Sequence, residues 1–123
     1  MHDRPSILIV DDEESLRFTF EIFLTEAGYD VTTASSFDEA LSMLLQRAFD
    51  LVIVDVILGG KTGLDLVREI RARWINCRVV VITGDPTGEL ATDAQRCGVA
   101  AFVSKPIYKD KLVEVVRKAL STP

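Results

Sequence analysis

The sequence is short of several things, and each shortage removes a class of function. Only two cysteines, Cys77 and Cys97, occur in 123 residues. They are too few for a disulfide framework and lack the spacing of metal ligands. They read instead as small buried apolar residues in a reducing compartment, the cytoplasm. The one histidine, His2, stands at the terminus, so imidazole-based catalysis within this chain is excluded. No apolar run approaches the ~18 residues of a membrane span. The opening Met1-His2-Asp3-Arg4 leads into a short strand rather than into a signal peptide. Basic residues are in deficit, 14 against 19 acids, for a net charge of -5. Direct binding to bulk nucleic acid or to an anionic membrane is therefore not expected, since both need a basic footprint. No repeat, low-complexity tract or linker interrupts the chain.

What is present describes a compact α/β domain. Hydrophobic residues make up 48% of the sequence and charged residues 27%, a balance suited to one globule of ordinary size. Ile7-Leu8-Ile9-Val10, Leu51-Val52-Ile53-Val54 and Val79-Val80-Val81-Ile82 are unbroken apolar runs. Such runs belong to strands covered by helices on both faces, the mark of a parallel sheet. Val31–Ala34 and Ala100–Val103 are weaker strands, expected nearer the edges. Between them lie helical stretches at about 13–27, 37–48, 63–73, 87–97 and 109–120. Gly28 and Gly98 follow the first and fourth of these, where a left-handed cap is wanted. The alternation βαβαβαβαβα implies right-handed crossovers and an open, doubly wound, five-stranded parallel sheet. Residues 1–123 read as one domain with its core at about 6–119, and Ser121-Thr122-Pro123 as a frayed end or the start of a removed linker.

Ligands of such sheets bind beyond the carboxyl ends of the strands, so the residues that follow each strand matter most. Asp11-Asp12 follows the first strand, Asp55 the third, Thr83-Gly84 the fourth, and Ser104-Lys105-Pro106 the fifth. Taken singly these are ordinary: an acid pair is an N-cap signal, a lysine a solvated charge, a threonine a turn residue. Together they bring three carboxylates to one edge. Two ionised carboxylates ~5 Å apart repel by roughly 3 kcal/mol at an effective dielectric near 20. The cluster must therefore take up protons or recruit a cation, and Lys105 offsets only part of the excess. Magnesium suits the remainder, because it takes one or two carboxylates, keeps waters and completes its shell with phosphate oxygens. Lys105 and the Thr83 hydroxyl can hold further phosphate oxygens, and Asp55 is the natural nucleophile for an acyl phosphate.

These residues, at these strand ends, resemble the receiver domain of bacterial two-component response regulators, over nearly the whole chain. The resemblance implies a flavodoxin-like (βα)5 fold with strand order 2-1-3-4-5. It implies that Asp55 is phosphorylated, in a magnesium-dependent reaction, by a sensor histidine kinase or a histidine phosphotransfer protein. Asp12, Asp55 and the backbone carbonyl of Ile57 would bind Mg2+, with Asp11 acting through a water. Lys105 would contact the phosphoryl group, Thr83 would swing towards it, and Phe102 would be the aromatic switch. The Lys105–Pro106 bond would be cis. Phosphorylation would then alter the face made by the fourth helix, fifth strand and fifth helix, with homodimerisation through that face as one outcome. Such a chain is a signalling phosphoprotein, not a turnover enzyme. Two departures stand out. Where the family commonly has proline at 59 and an apolar residue at 61, this sequence has Gly59 and Lys61, so a loosened, atypical loop is expected. Ile57 and Asp85 occupy positions that tune acyl-phosphate lifetime in the family.

The same residues admit other readings. Gly59-Gly60-Lys61-Thr62-Gly63 mimics a P-loop, but the glycine that motif requires five residues earlier is Asp55. A magnesium-dependent aspartyl phosphohydrolase needs an acid two residues after its nucleophile, and that residue is Ile57. A receiver-like interaction module that no longer accepts phosphate is the third alternative. In the first helix, Leu16, Phe20, Phe23, Leu24 and Ala27 form the expected core stripe, with Phe18 and Ile22 opposite. That pair is either a docking spot for the phosphodonor or tolerated surface apolarity. In the fourth helix Leu90, Ala91 and Ala94 make a weak apolar face. On the fifth, Leu112, Val113, Val116 and Leu120 serve the core and leave Val115 for an interface.

Overall fold

A computed structural model describes residues 4–84 and 88–121 of the chain. The order of elements is β1 (Ser6–Val10), α1 (Glu14–Glu26), β2 (Asp30–Ala34), α2 (Phe37–Gln46), β3 (Leu51–Asp55), β4 (Ile57–Leu58), β5 (Lys61–Thr62), α3 (Gly63–Ala72), β6 (Arg78–Thr83), α4 (Gly88–Arg96), β7 (Ala101–Ser104) and α5 (Lys109–Ser121). Five strands form one parallel sheet in the order β2-β1-β3-β6-β7. With the two-residue β4–β5 hairpin set aside, this is the expected 2-1-3-4-5, and the two weaker strands lie at the edges.

The apolar runs are explained by burial on both faces of the sheet. Ile7, Ile9, Leu51, Ile53, Val80 and Ile82 pack with Phe20 and Leu24 of α1 and with Leu112, Val116 and Ala119 of α5. The alternate residues Leu8, Val10, Val52, Val54, Val79 and Val81 pack with Ala40 and Leu44 of α2, with Leu64, Val67 and Ile70 of α3, and with Ala94 of α4. Each of these large side chains contributes about 1.5–3 kcal/mol by leaving water. The chain cannot slip by one residue without exchanging the two cores, so the strand register is tightly held. α4 buries only Ala94 and is the most weakly held helix.

Local chemistry sets the helix ends. Ser36 caps α2 by accepting the Glu39 N–H at 3.1 Å, while the Glu39 carboxylate accepts the Ser35 N–H at 2.7 Å. Thr62 and Asp65 form a reciprocal capping box at α3. The Thr62 N–H holds the Asp65 carboxyl below its ordinary pKa. Gly28 and Gly98 adopt the left-handed conformation with φ of 100° and 71°. Trp74 does so too, with φ of 57°, although it carries a side chain that is 91% exposed.

Several expectations are corrected. Ala27 is exposed, because α1 ends at Glu26 and Ala27 is its C-cap. Val115 is half-buried against the core rather than free. It lies three residues from Leu112 and four from Ala119, which puts all three on one helix face. Cys77 is buried and its thiol pKa is pushed up by that burial, whereas Cys97 is only half-buried. The segment after Asp55 is not a loose loop: Ile57 pairs with Thr62 and Leu58 with Lys61 in an antiparallel hairpin. Gly59, with φ of 66°, supplies the turn. Lys61 stands 4.1 Å from the centroid of the Phe37 ring, a cation–π contact that ties the hairpin to α2. His2 and Asp85 lie outside the described residues. Among the described residues no helix is long and apolar enough to cross a membrane.

Candidate functional site

Register alone brings the strand-end residues together. Val10 pairs with Val54, so Asp11 and Asp55 stand at the ends of adjacent strands. Ile82 lies opposite Asp55, and Thr83 pairs with Ser104, one residue before Lys105. The Lys105 N–H donates to the Thr83 carbonyl at 2.7 Å, which extends the ladder one step and aims the lysine over the edge. The Lys105–Pro106 bond is cis.

Asp11 and Asp55 are almost inaccessible, at 0% and 5% relative exposure, and Thr83 is buried as well. Asp11 Oδ1 accepts the Glu13 N–H at 2.8 Å, and its carbonyl accepts Arg17 Nη1 at 2.7 Å. Asp55 Oδ1 accepts the Ile57 N–H at 3.0 Å. Lys105 Nζ bridges the two acids, in direct contact with Asp55 Oδ2 and 3.4 Å from Asp11 Oδ2. Asp12, next along the chain, is exposed. Phe102 is half-buried and packs against the core on the side of the sheet that α2, α3 and α4 cover. Phe18 and Ile22 are 62% and 39% exposed on α1.

The electrostatics follow from this crowding. Burial pushes the Asp11 carboxyl up to about 6, against the Glu13 N–H and the Lys105 charge that favour its ionised form; the neighbouring Asp55 adds to the rise. Burial pulls Lys105 down, but its hydrogen bond to Asp55 and the charges of both acids outweigh this and raise its pKa. The lysine is thus held as a cation, and Asp11 gives up its proton less readily than a free carboxyl.

A divalent cation is the other remedy for the crowding of acids at this edge. Among the described residues no three acidic, histidine or cysteine side chains are grouped so as to hold a metal ion by themselves. The donors present suit an open site: Asp12 is exposed, and the Asp55 carboxylate has about four acceptor positions, of which the Ile57 N–H and Lys105 use two. Magnesium, which needs only one or two carboxylates and keeps its waters, fits such a set.

The approach of α3 to this edge is unusually tight. The Gly63 N–H donates to the Val56 carbonyl at 2.7 Å. A Cβ at Gly63 would overlap the Asp55 carbonyl oxygen and stand 2.9 Å from the Asp55 carbonyl carbon and 3.0 Å from Val54 Cγ2. Only glycine lets the backbone of α3 rest on the backbone of Asp55. Neither Gly63 nor Arg17 was singled out for the site from sequence. Arg17, five residues after Asp12 on α1, carries no motif signal of its own.

An acid-rich strand edge with a bridging lysine, on a doubly wound sheet, defines a class of small α/β domain. Comparison with known proteins gives the family. Residues 7–117 match the response regulator receiver domain, and the chain belongs to that family. It is 37% identical over 114 residues to the alginate biosynthesis transcriptional regulatory protein AlgB of Pseudomonas aeruginosa, covering 93% of this chain and 25% of AlgB. The chain thus spans about a quarter of the length of the curated relatives it matches. Among solved structures it resembles the chemotaxis protein CheY4 of Vibrio cholerae, with a TM-score of 0.90, 27% identity and coverage of 95% of this chain and 99% of that one. It also resembles a Burkholderia pseudomallei response regulator with a phosphorylated aspartic acid, calcium ion and citrate. There the TM-score is 0.84 and the identity 30%, with coverage of 96% of this chain and 67% of the other.

Proposed function

We propose that this receiver domain accepts a phosphoryl group on Asp55 from the phosphohistidine of a sensor kinase or phosphotransfer protein. The observation that carries the reading is a buried aspartate at a strand end, bridged to a second acid by a lysine cation. An Asp55 carboxylate oxygen attacks phosphorus, the phosphorus–nitrogen bond to the donor imidazole breaks, and the electron pair leaves with that nitrogen, which then takes a proton. Lys105 is the fixed cation for the phosphoryl oxygens, and the Thr83 hydroxyl donates to one of them. Asp12, Asp55 and the Ile57 carbonyl would hold Mg2+, with Asp11 acting through a water. When bound, the ion supplies charge neutralisation for the attacking carboxylate and the incoming phosphoryl oxygens.

The same reading explains how the mark is transmitted. An acyl phosphate adds negative charge and acceptor oxygens that draw in Thr83. Space vacated there admits Phe102, which lacks a hydroxyl and reports by packing alone. The face made by α4, β7 and α5 responds, since α4 is the least anchored helix. That face serves a partner or a second copy of the domain. Phe18 and Ile22, exposed on α1, serve as the docking spot for the donor. Residues 1–123 act as a single receiver unit that accepts phosphate rather than turning over substrate. Several relatives are named transcriptional regulatory proteins, which supports control of an output module by this domain. The reading brings with it the family's cytoplasmic setting.

The test is labelling by acetyl phosphate with magnesium, read by intact-mass spectrometry. A single labile phosphoryl adduct is expected, absent from Asp55→Asn and absent when the metal is chelated. Full labelling of Asp55→Asn, or labelling indifferent to chelation, would refute the assignment.

A further inference from the structure

Arg17 has no ion-pair partner among the described residues. Its guanidinium is half-buried and gives a 2.7 Å hydrogen bond to the Asp11 carbonyl. That carbonyl belongs to the peptide joining Asp11 to Asp12, and a peptide unit is planar. Holding its oxygen therefore fixes the N–H and Cα of Asp12 as well. The following peptide is held from the other side, where the Glu13 N–H donates to Asp11 Oδ1 at 2.8 Å. Asp12 is thus an exposed residue whose backbone is clamped before and after it.

We propose that Arg17 is a positioning residue for the acidic loop, setting the direction in which Asp12 presents its carboxylate to a divalent cation. The inference rests on the reading of this edge as a magnesium-dependent receiver site. A charged donor is the right tool, because a part-buried carbonyl bonded to a guanidinium is held about twice as strongly as by a neutral group. The clamp and the charge of Arg17 pull magnesium affinity in opposite directions. A nearby cation repels Mg2+, whereas an ordered loop favours it by removing the cost of ordering the ligands. The sign of the effect therefore separates positioning from simple electrostatics.

The experiment is a direct magnesium titration of the full chain, followed by amide chemical shifts, with thermal midpoints measured alongside. Arg17→Gln is expected to weaken magnesium binding about tenfold, the size of one lost charged hydrogen bond, with the fold kept. Arg17→Met, which keeps a long unbranched side chain, gives the same loss and replaces the glutamine variant should that fail to fold. Arg17→Lys recovers part of the affinity. Unchanged or tighter binding in the glutamine or methionine variant, or no recovery with lysine, would overturn the proposal. Wild-type protein that binds magnesium yet is not labelled at Asp55 would fell the receiver reading and leave the loop assignment standing. Wild-type protein that binds no magnesium would fell both.

Discussion

Asp11→Asn should make this protein more stable, against the usual direction of changes at a buried site. Asp11 is wholly buried, and its carboxyl is pushed up from 3.8 to about 6, first by burial and further by Asp55. Each tenfold change in proton affinity is worth about 1.4 kcal/mol. At neutral pH the ionised carboxylate is then worse off in the fold than in the open chain by about 3 kcal/mol. Asparagine keeps the acceptor for the Glu13 N–H and removes the charge. Its amide also faces Lys105, which the carboxylate attracted at 3.4 Å, and this conflict returns part of the gain. A net stabilisation of about 1–2 kcal/mol at pH 7 is expected without magnesium.

The pH dependence carries the sharper signature. Because the folded pKa lies above the unfolded one, the protonated form's contribution is fully present below about 3.8 and is lost as pH rises through about 6. The advantage of Asp11→Asn should therefore be close to nothing near pH 3.5, grow between pH 4 and 6, and level off by pH 7. Urea denaturation of both proteins in chelator, followed by far-ultraviolet circular dichroism at several pH values, measures this. A variant less stable than the parent at pH 7, or a difference independent of pH, would refute the electrostatic account of the site.

Further outcomes follow from packing and backbone geometry. Gly63→Ala should cost about 2–3 kcal/mol, because the new methyl meets the Asp55 backbone. Gly60→Ala, with nothing within 4 Å, should be neutral or mildly stabilising in the same denaturation assay, and equal losses in the two would contradict the close approach. Trp74→Gly should raise stability by about 0.5–1 kcal/mol by relieving a left-handed residue, which calorimetry can detect; a loss would mean the exposed indole makes a contact that matters. Phe18→Ala combined with Ile22→Ala should slow transfer from the cognate kinase and leave acetyl phosphate labelling unchanged, and a parallel fall in both would exclude docking as their role.

The sheet was legible in the sequence because both of its faces are covered. Strands such as Val79–Ile82 have no polar face to obscure them, and the residues after each strand must gather where the register puts them. The acidic edge was therefore readable down to Asp11, Asp55, Thr83 and Lys105. What escaped notice depends on rotation and on backbone contact. Ala27 fits the apolar spacing of α1, but the helix stops one residue before it, and spacing does not report where the last carbonyl bond is made. Val115 shares a face with Leu112 and Ala119 and packs against the core, a placement that apolar spacing alone leaves open because it depends on which residue the stripe is counted from. The paired glycines after Asp55 suggested looseness, yet the left-handed turn that Gly59 permits is what lets Ile57 and Leu58 pair with Thr62 and Lys61.

Arg17 and Gly63 escaped for a common reason: each acts on the site through main-chain atoms. Side-chain chemistry can be read from residue type, and that is how the carboxylates and the lysine were found. A guanidinium on a carbonyl, or a missing Cβ beneath one, has no partner residue type to betray it. Both contacts bear on the peptides next to Asp12 and Asp55 rather than on the carboxylates. The side chains at this edge thus supply the charge, and the main-chain contacts of α1 and α3 decide where that charge is held. Perturbing the first group should change the charge balance of the edge, and perturbing the second should change how well that charge is aimed. Asp11→Asn and Arg17→Gln make that division measurable, since the first is expected to raise stability with a pH profile and the second to weaken magnesium binding without one.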